Sequence, residues 1–143
     1  MYPDGDVGGP QAPIGNAGSE SHIMSRVAVV GASPDAERYS NKAMKFLKEK
    51  GHTAIPVAPK HERICDEDVY PNLREVPGEV ETVSMYVAPA RQDTVVDDIV
   101  EVAPKRVIFN PGAENPAVYD RLKSEGIEVV EACTLVLLRT GQF

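Results

Sequence analysis

The stretch Arg26-Val27-Ala28-Val29-Val30-Gly31-Ala32-Ser33-Pro34-Asp35-Ala36-Glu37-Arg38-Tyr39-Ser40-Asn41 decides the fold. Val27 to Val30 is a short apolar, mostly β-branched run, the pattern of a strand buried on both faces of a parallel sheet. Gly31 ends the run and allows a sharp turn with close approach of a ligand to the backbone. Ala32 keeps that turn small. Ser33, Pro34 and Asp35 carry helix-start chemistry: a hydroxyl, a fixed φ and an early negative charge. A later start, at Ser40 or Asn41, stands immediately before the amphipathic run Lys42 to Lys50. In both cases free backbone N–H groups point out of the carboxyl end of a strand, a geometry that binds phosphate. Most first turns of α/β proteins bind nothing, so this turn alone leaves the ligand open.

Upstream, residues Met1 to about Ser25 are rich in Gly, Pro, Ser and Asn and show no hydrophobic period. They read as a disordered leader or a vector-derived tag, with Ser21-His22-Ile23-Met24 resembling a cloning-site remnant. The folded domain is expected over residues 26–143.

Downstream, short apolar runs alternate with amphipathic segments of helix length. Strands are expected at Val27–Val30, Thr53–Val57, Thr82–Val87, Arg106–Phe109 and Ile127–Val130. Helices are expected at Lys42–Lys50, closed by Gly51, and at Thr94–Val102, stopped before Pro104. Two more are expected at Pro116–Lys123 and Thr134–Arg139, and a short one around Asn72–Val76 within an otherwise irregular segment. The pattern predicts an α/β fold: a Rossmann-like parallel five-stranded sheet, in the order 3-2-1-4-5, with helices on both faces. Gly31-Ala32-Ser33-Pro34, Ala58-Pro59, Ala88-Pro89 and Asn110-Pro111-Gly112 each follow a strand directly. All four fall on the carboxyl edge, where ligands bind in such sheets. Proline also simply ends strands, but the small residues beside these prolines favour a rim that accommodates a ligand.

The composition narrows the ligand's company. Fifteen Lys and Arg against 22 Asp and Glu leave a net charge of −7, which argues against nonspecific nucleic-acid binding and against docking on an anionic membrane. No apolar run approaches the roughly 20 residues of a membrane span, and the N-terminus lacks the basic flank and apolar core of a signal peptide. Cys65 and Cys133 form neither a metal motif nor a disulfide framework, so a cytoplasmic chain with reduced thiols is expected.

A G-x-G-x-x-G fingerprint would need glycines at 31, 33 and 36; the chain has Gly31, Ser33 and Ala36. NAD sites also keep an acid at the end of the second strand to hold the ribose hydroxyls, and here Ala58-Pro59-Lys60 stands there. A lysine at that place suits an additional phosphate. NAD is disfavoured; coenzyme A and NADP remain.

Val29-Val30-Gly31-Ala32-Ser33-Pro34 with Ser40-Asn41, then Ile55-Pro56-Val57-Ala58-Pro59 and Tyr70-Pro71-Asn72-Leu73, resembles the small stand-alone CoA-binding proteins of bacteria. These are similar to the CoA-binding domain of the succinyl-CoA synthetase alpha subunit. Phe109-Asn110-Pro111-Gly112-Ala113-Glu114-Asn115 and Val130-Glu131-Ala132-Cys133-Thr134 extend the resemblance across residues 25–143. It implies that Gly31, Ala32 and Ser33 hold phosphate, and that the loops at Pro59-Lys60 and Ala88-Pro89 flank the nucleotide. Where the family often has Asn before the proline at 59, this chain has Ala58, so no side-chain hydrogen bond carries over there. The synthetases use a phosphorylated histidine from a second domain; no histidine follows His61, so that mechanism does not carry over either.

The expected cofactor-binding set is Gly31, Ala32, Ser33, Pro34, Arg38, Ser40, Asn41, Pro59, Lys60, Ala88, Pro89, Arg91, Pro111 and Gly112. Arg38, Lys42 and Arg91 follow strand ends and are the best side-chain partners for phosphate. His52 falls on the opposite edge and reads as a surface histidine, whereas His61 lies near the rim beside Lys60. Cys133 ends the fifth strand and reads as a buried structural cysteine with no basic neighbour to activate it. Glu114 and Glu131 are candidates for a carboxylate pair. No nucleophile–base pair stands out. The leading reading is a module that binds coenzyme A or an acyl-CoA as sensor, carrier or partner subunit, with a protein partner or a homo-oligomer left open. The alternatives are an NADP-binding oxidoreductase domain and an acyl-CoA enzyme using Cys133.

Overall fold

The structure, a computed structural model, describes residues 24–143. The expected leader lies outside the described residues except for its last two. Of these, Ser25 already belongs to the fold, since its carbonyl accepts the Thr53 N–H at 2.9 Å.

In chain order the elements are β1 (Arg26–Val30), α1 (Tyr39–Glu49), β2 (Thr53–Val57), β3 (Arg63–Ile64), β4 (Glu67–Asp68), β5 (Thr82–Met85), α2 (Asp93–Val102), β6 (Arg106–Phe109), α3 (Tyr119–Ser124), β7 (Glu128–Glu131) and α4 (Thr134–Arg139). Short 3₁₀ turns stand at Leu73–Glu75, Pro89–Arg91 and Pro116–Val118. The main sheet is wholly parallel, with Val30 opposite Val57 on one side and Met85 on the other, and Met85 opposite Phe109.

The sheet order is β2-β1-β5-β6-β7, that is 2-1-3-4-5 for the five strands read from the sequence. The expected order 3-2-1-4-5 is therefore corrected: β5 pairs with β1, not with β2. All four residues of β5 are buried, which demands a place inside the sheet. Pro56 in β2 has no N–H to give to a second neighbour, which suits an edge strand. Its carbonyl instead accepts the Tyr70 N–H at 3.1 Å, in a short bridge that caps this edge.

Helices cover both faces. Val27 and Val29 of β1 pack with Met44 and Leu47 of α1 and Leu138 of α4. Ala28 and Val30 point the other way, into a larger core with Val96 and Ile99 of α2 and Leu122 of α3. The chain thus leaves β1 over one face and leaves β5 over the other. The crevice between the carboxyl ends of these two neighbouring strands is the switch point at which open α/β sheets bind ligands.

Several boundaries shift. α1 starts at Tyr39, so Ser33 to Asp35 do not begin it; the later start is the observed one, one residue before Ser40. Ser33 and Asp35 instead build a turn, their side chains accepting the N–H groups of Asp35 (3.1 Å) and Glu37 (2.9 Å). β5 stops at Met85, because Tyr86 and Val87 turn into the rim. The segment read as irregular after Lys60 holds a hairpin, β3–β4, whose two turn residues Cys65 and Asp66 both have positive φ. The helix expected from Pro116 is a 3₁₀ turn followed by α3.

Candidate ligand-binding site

Gly31 is the hinge of the site. Its φ is +90°, and the N–H groups of Gly31 and Ala32 both point at the Val57 carbonyl, at 3.0 and 3.3 Å. These two donors are tied to the fold, so the turn borders the cleft with its backbone anchored to the end of β2. A Cβ at residue 31 would sit 3.2 Å from the Tyr86 carbonyl carbon and 3.2 Å from a Val87 methyl. Glycine is therefore required twice, by φ and by the closeness of β5.

What remains for an anion is the start of α1. Its N-cap, Arg38, makes no capping hydrogen bond. The Asn41 N–H already goes to the Arg38 carbonyl at 3.1 Å, and among the described residues no side chain takes the N–H groups of Tyr39 and Ser40, the ones left for an anion. Asn41 supports the loop from within: it is buried, and its Nδ2 donates to the Ser33 carbonyl at 2.8 Å. Its Oδ1 is buried with no partner.

These elements bound an open cleft of about 570 Å³. Gly31, Ala32, Ser33, Arg38 and Ser40 form one wall. Pro59 and Lys60 form the wall after β2, and Arg91 and Pro111 close the far side. Nine expected residues thus meet at one cleft. Five do not line it: Pro34 is exposed on the outer side of the turn, Asn41 lies beneath it, and Ala88 and Pro89 only position the turn that carries Arg91. The fifth, Gly112, lies off the cleft with φ +94°, its N–H donating to Glu114 at 2.8 Å. Lys42 also turns away, over the Tyr39 ring at 5.7 Å.

The cleft carries three cationic side chains, Arg38, Lys60 and Arg91, against one acid, Glu37. In a chain of net charge −7 this is a local reversal of sign. His61 also faces the cleft, as its place beside Lys60 implied. Two aromatic linings lacked a sequence signal. Tyr39, 62% exposed, stands at the mouth. Tyr86 lies under the first turn, its hydroxyl buried close to the Ser84 and Thr134 hydroxyls, which bond each other at 2.8 Å and leave it no partner of good geometry. Burial pushes the Tyr86 phenol up to about 12.

A second hollow of about 260 Å³ opens from the first, sharing Gly31, Ala58, Pro59, Val87 and Arg91. Its own walls come from the segment after β4 and from α2, including Asn72, Leu73, Thr94, Val95 and Asp98. None of these was singled out from the sequence as a site residue. The rim behind both hollows is stapled by Gln92, fully buried, whose Nε2 donates to the carbonyls of Val87 and Ala113, each at 2.7 Å. Its Oε1 accepts from Asn115 at 3.0 Å.

The other candidates are placed elsewhere. His52 is half-buried rather than on the surface; it accepts the Ser25 N–H at 3.1 Å and its ring lies 5.0 Å from that of Phe143, on the amino edge of the sheet. Cys133 is half-buried, not buried, standing two residues past the edge strand β7 as the N-cap of α4; it does not line the cleft. Glu114 accepts the Gly112 N–H and Glu131 the Tyr119 hydroxyl at 2.7 Å, and neither lines the cleft. No helix among the described residues is long and apolar enough to cross a membrane.

Comparison with known proteins agrees with this geometry. An uncharacterized protein of Bacillus subtilis, YneT, is 26% identical over 105 residues, covering 73% of this chain and 78% of its own. An ADP-forming acetate–CoA ligase of Archaeoglobus fulgidus is 30% identical over 111 residues, which are 73% of this chain but only 16% of the ligase. A crystal structure of an uncharacterized protein superposes with a TM-score of 0.80 at 38% identity, covering 85% of this chain and all of the other. A hypothetical protein of Pyrococcus horikoshii superposes at 0.74 with 29% identity, over 81% of this chain and 83% of its own. The family model of a CoA binding domain matches residues 25–139, the described fold almost entire, and the chain belongs to that family.

Proposed function

We propose that this chain binds coenzyme A, free or as an acyl thioester, as a stand-alone module serving as sensor, carrier or partner subunit. The observation that carries the reading is the convergence of Arg38, Lys60 and Arg91 on the uncapped start of α1, at the sheet's switch point. Coenzyme A bears a pyrophosphate and a 3′-phosphate, and three cations around one helix mouth match that charge. The cleft volume falls within the range of roughly 300–1,000 Å³ for ligand pockets. Lys60, where an NAD site keeps its acid, favours the phosphorylated ribose.

The residues present fit the group. The N–H groups at the start of α1, with Arg38, hold the pyrophosphate; Lys60 meets the 3′-phosphate; Arg91 stands between the two hollows. The thiol is the reactive end the coenzyme supplies. Membership of the family and similarity to an acetate–CoA ligase support the choice of coenzyme. The chain spans a small fraction of that ligase, and no ligase chemistry is inferred from it. A cytoplasmic setting agrees with the two free cysteines.

Titration calorimetry tests the reading. One saturable site for coenzyme A is expected, weakened about tenfold or more in Arg91→Ala, the loss of one charge-assisted contact. Absence of binding at millimolar coenzyme A would overturn it.

A further inference from the structure

The bend after β2 presents two basic side chains to the cleft, Lys60 and His61. It is pinned at both ends. The Ala58 N–H donates to the Tyr70 carbonyl at 3.0 Å, and the Val69 N–H to the Glu62 carbonyl at 3.0 Å. Between these anchors Pro59 fixes one backbone φ. The bend is thus tied to the β3–β4 hairpin and to the bridge at Tyr70, so the fold sets what it projects at the rim. His61 is exposed, and solvent protons reach its ring.

The charges that share the cleft with this ring are mostly of one sign. The start of α1 contributes Glu37 and Arg38, the turn after β5 contributes Arg91, and Lys60 adjoins on the bend itself. The two phenols that line the cleft, Tyr39 and Tyr86, are uncharged in the range where imidazole titrates. Next in the chain, Glu62 is exposed, and on the hairpin Arg63 pairs with Asp68 and Glu67 with Lys48, each at 2.7 Å. Among the described residues His61 is the one imidazole at the cleft, and imidazole is the side chain that ordinarily changes charge between about pH 5 and pH 8.

We infer that His61 makes the binding of the coenzyme's phosphates proton-coupled: the imidazole takes up a proton as the phosphates enter, and the site tightens as pH falls from about 8 to about 6.5. The inference rests on the proposed function and adds a titrating contact that regulates that site. Its cause is a reversal of field. The empty cleft sets three cations and one acid around the ring; a bound ligand brings several phosphate charges to the same place. An opposite charge within about 4–6 Å favours the charged form of a titrating group. A neutral imidazole offers a phosphate one N–H, whereas the imidazolium offers two and a full charge. By linkage, what the ligand does for the proton the proton does for the ligand.

Titration calorimetry of coenzyme A at about pH 7, in two buffers of different ionisation enthalpy, counts the protons exchanged on binding. The wild type is expected to take up a fraction of a proton more than His61→Gln. This comparison cancels the titration of the ligand's own 3′-phosphate, which also falls near pH 6, at about the second pKa of a phosphate monoester. The ratio of wild-type to His61→Gln affinity should rise about threefold or more between about pH 8 and about pH 6.5. His61→Lys, a constant cation, should bind tightly at both and take up no extra proton. Each variant changes an exposed side chain, and its thermal transition checks the fold. Equal proton exchange and a constant affinity ratio overturn the inference while leaving coenzyme A binding intact. If coenzyme A fails to bind the wild type at either pH, the proposed function falls, and the proton coupling with it.

Discussion

The Gly31 N–H donates to the Val57 carbonyl at 3.0 Å, so the first turn of the chain is tied to the end of the neighbouring strand and not to the cleft. This bond separates the turn's structural role from its place beside a ligand. Gly31→Val would force a β-branched residue into φ +90° and press its Cβ against Tyr86 and Val87 at 3.2 Å. The variant is expected to lose about 2–3 kcal/mol of stability. Urea unfolding checks this; an unchanged midpoint with lost binding would show that the glycine serves the ligand alone.

Gln92 makes a second testable staple. Gln92→Leu leaves the Val87 and Ala113 carbonyls without their donor and removes the acceptor of Asn115. A loss on the order of 2–3 kcal/mol is expected. Gln92→Glu should not restore the native stability, because the two carbonyls need a donor and an ionised carboxylate only accepts. Thermal unfolding of Gln92→Leu at the native level would contradict the assignment.

The Tyr86 hydroxyl is buried without a partner, so Tyr86→Phe should be neutral or stabilising by up to about 1–2 kcal/mol at neutral pH. Its pH dependence has a definite sign. The folded-state phenol is raised from 10.0 to about 12, so the unfolded chain releases this proton first. The stability due to the neutral phenol is full below pH 10 and is lost as pH rises toward 12. Tyr119 follows the same course, raised to about 12 by burial and by its bond to Glu131. Between about pH 9 and pH 11, denaturant midpoints should therefore fall less in Tyr86→Phe than in the wild type. Equal falls would show that the phenol titrates normally.

The parallel sheet was legible because each strand is a short apolar run and each helix carries a face. The strand order was not. Residues 58–81 hold no helix long enough to announce a crossover, so β5 was set beside β2 when it belongs beside β1. Pro56 carried the missing signal, since a proline within a strand marks an edge. At the site, small residues and prolines after the strands located the rim, and Arg38, Lys60 and Arg91 do converge there. The second hollow was hidden because Asp98 lies in a helix read from the spacing of its valines and isoleucine, and Leu73 in a short expected helix that was given no ligand role. That Val57 takes the N–H groups of Gly31 and Ala32 is visible only in the tertiary structure.

The central claim, a site for coenzyme A that uses its 3′-phosphate, is tested most directly by thermal unfolding with a ligand series. A ligand at a hundredfold excess over Kd stabilises the fold by about 2.7 kcal/mol. Each kcal/mol moves the transition by roughly 2–8 °C in domains of this size. Coenzyme A should raise it by several degrees, dephospho-coenzyme A by less, and NAD not at all. Lys60→Ala should erase the difference between coenzyme A and dephospho-coenzyme A, since it removes the cation that stands where NAD sites keep an acid. A shift with NADP and none with coenzyme A would contradict the account and put a nicotinamide cofactor in its place.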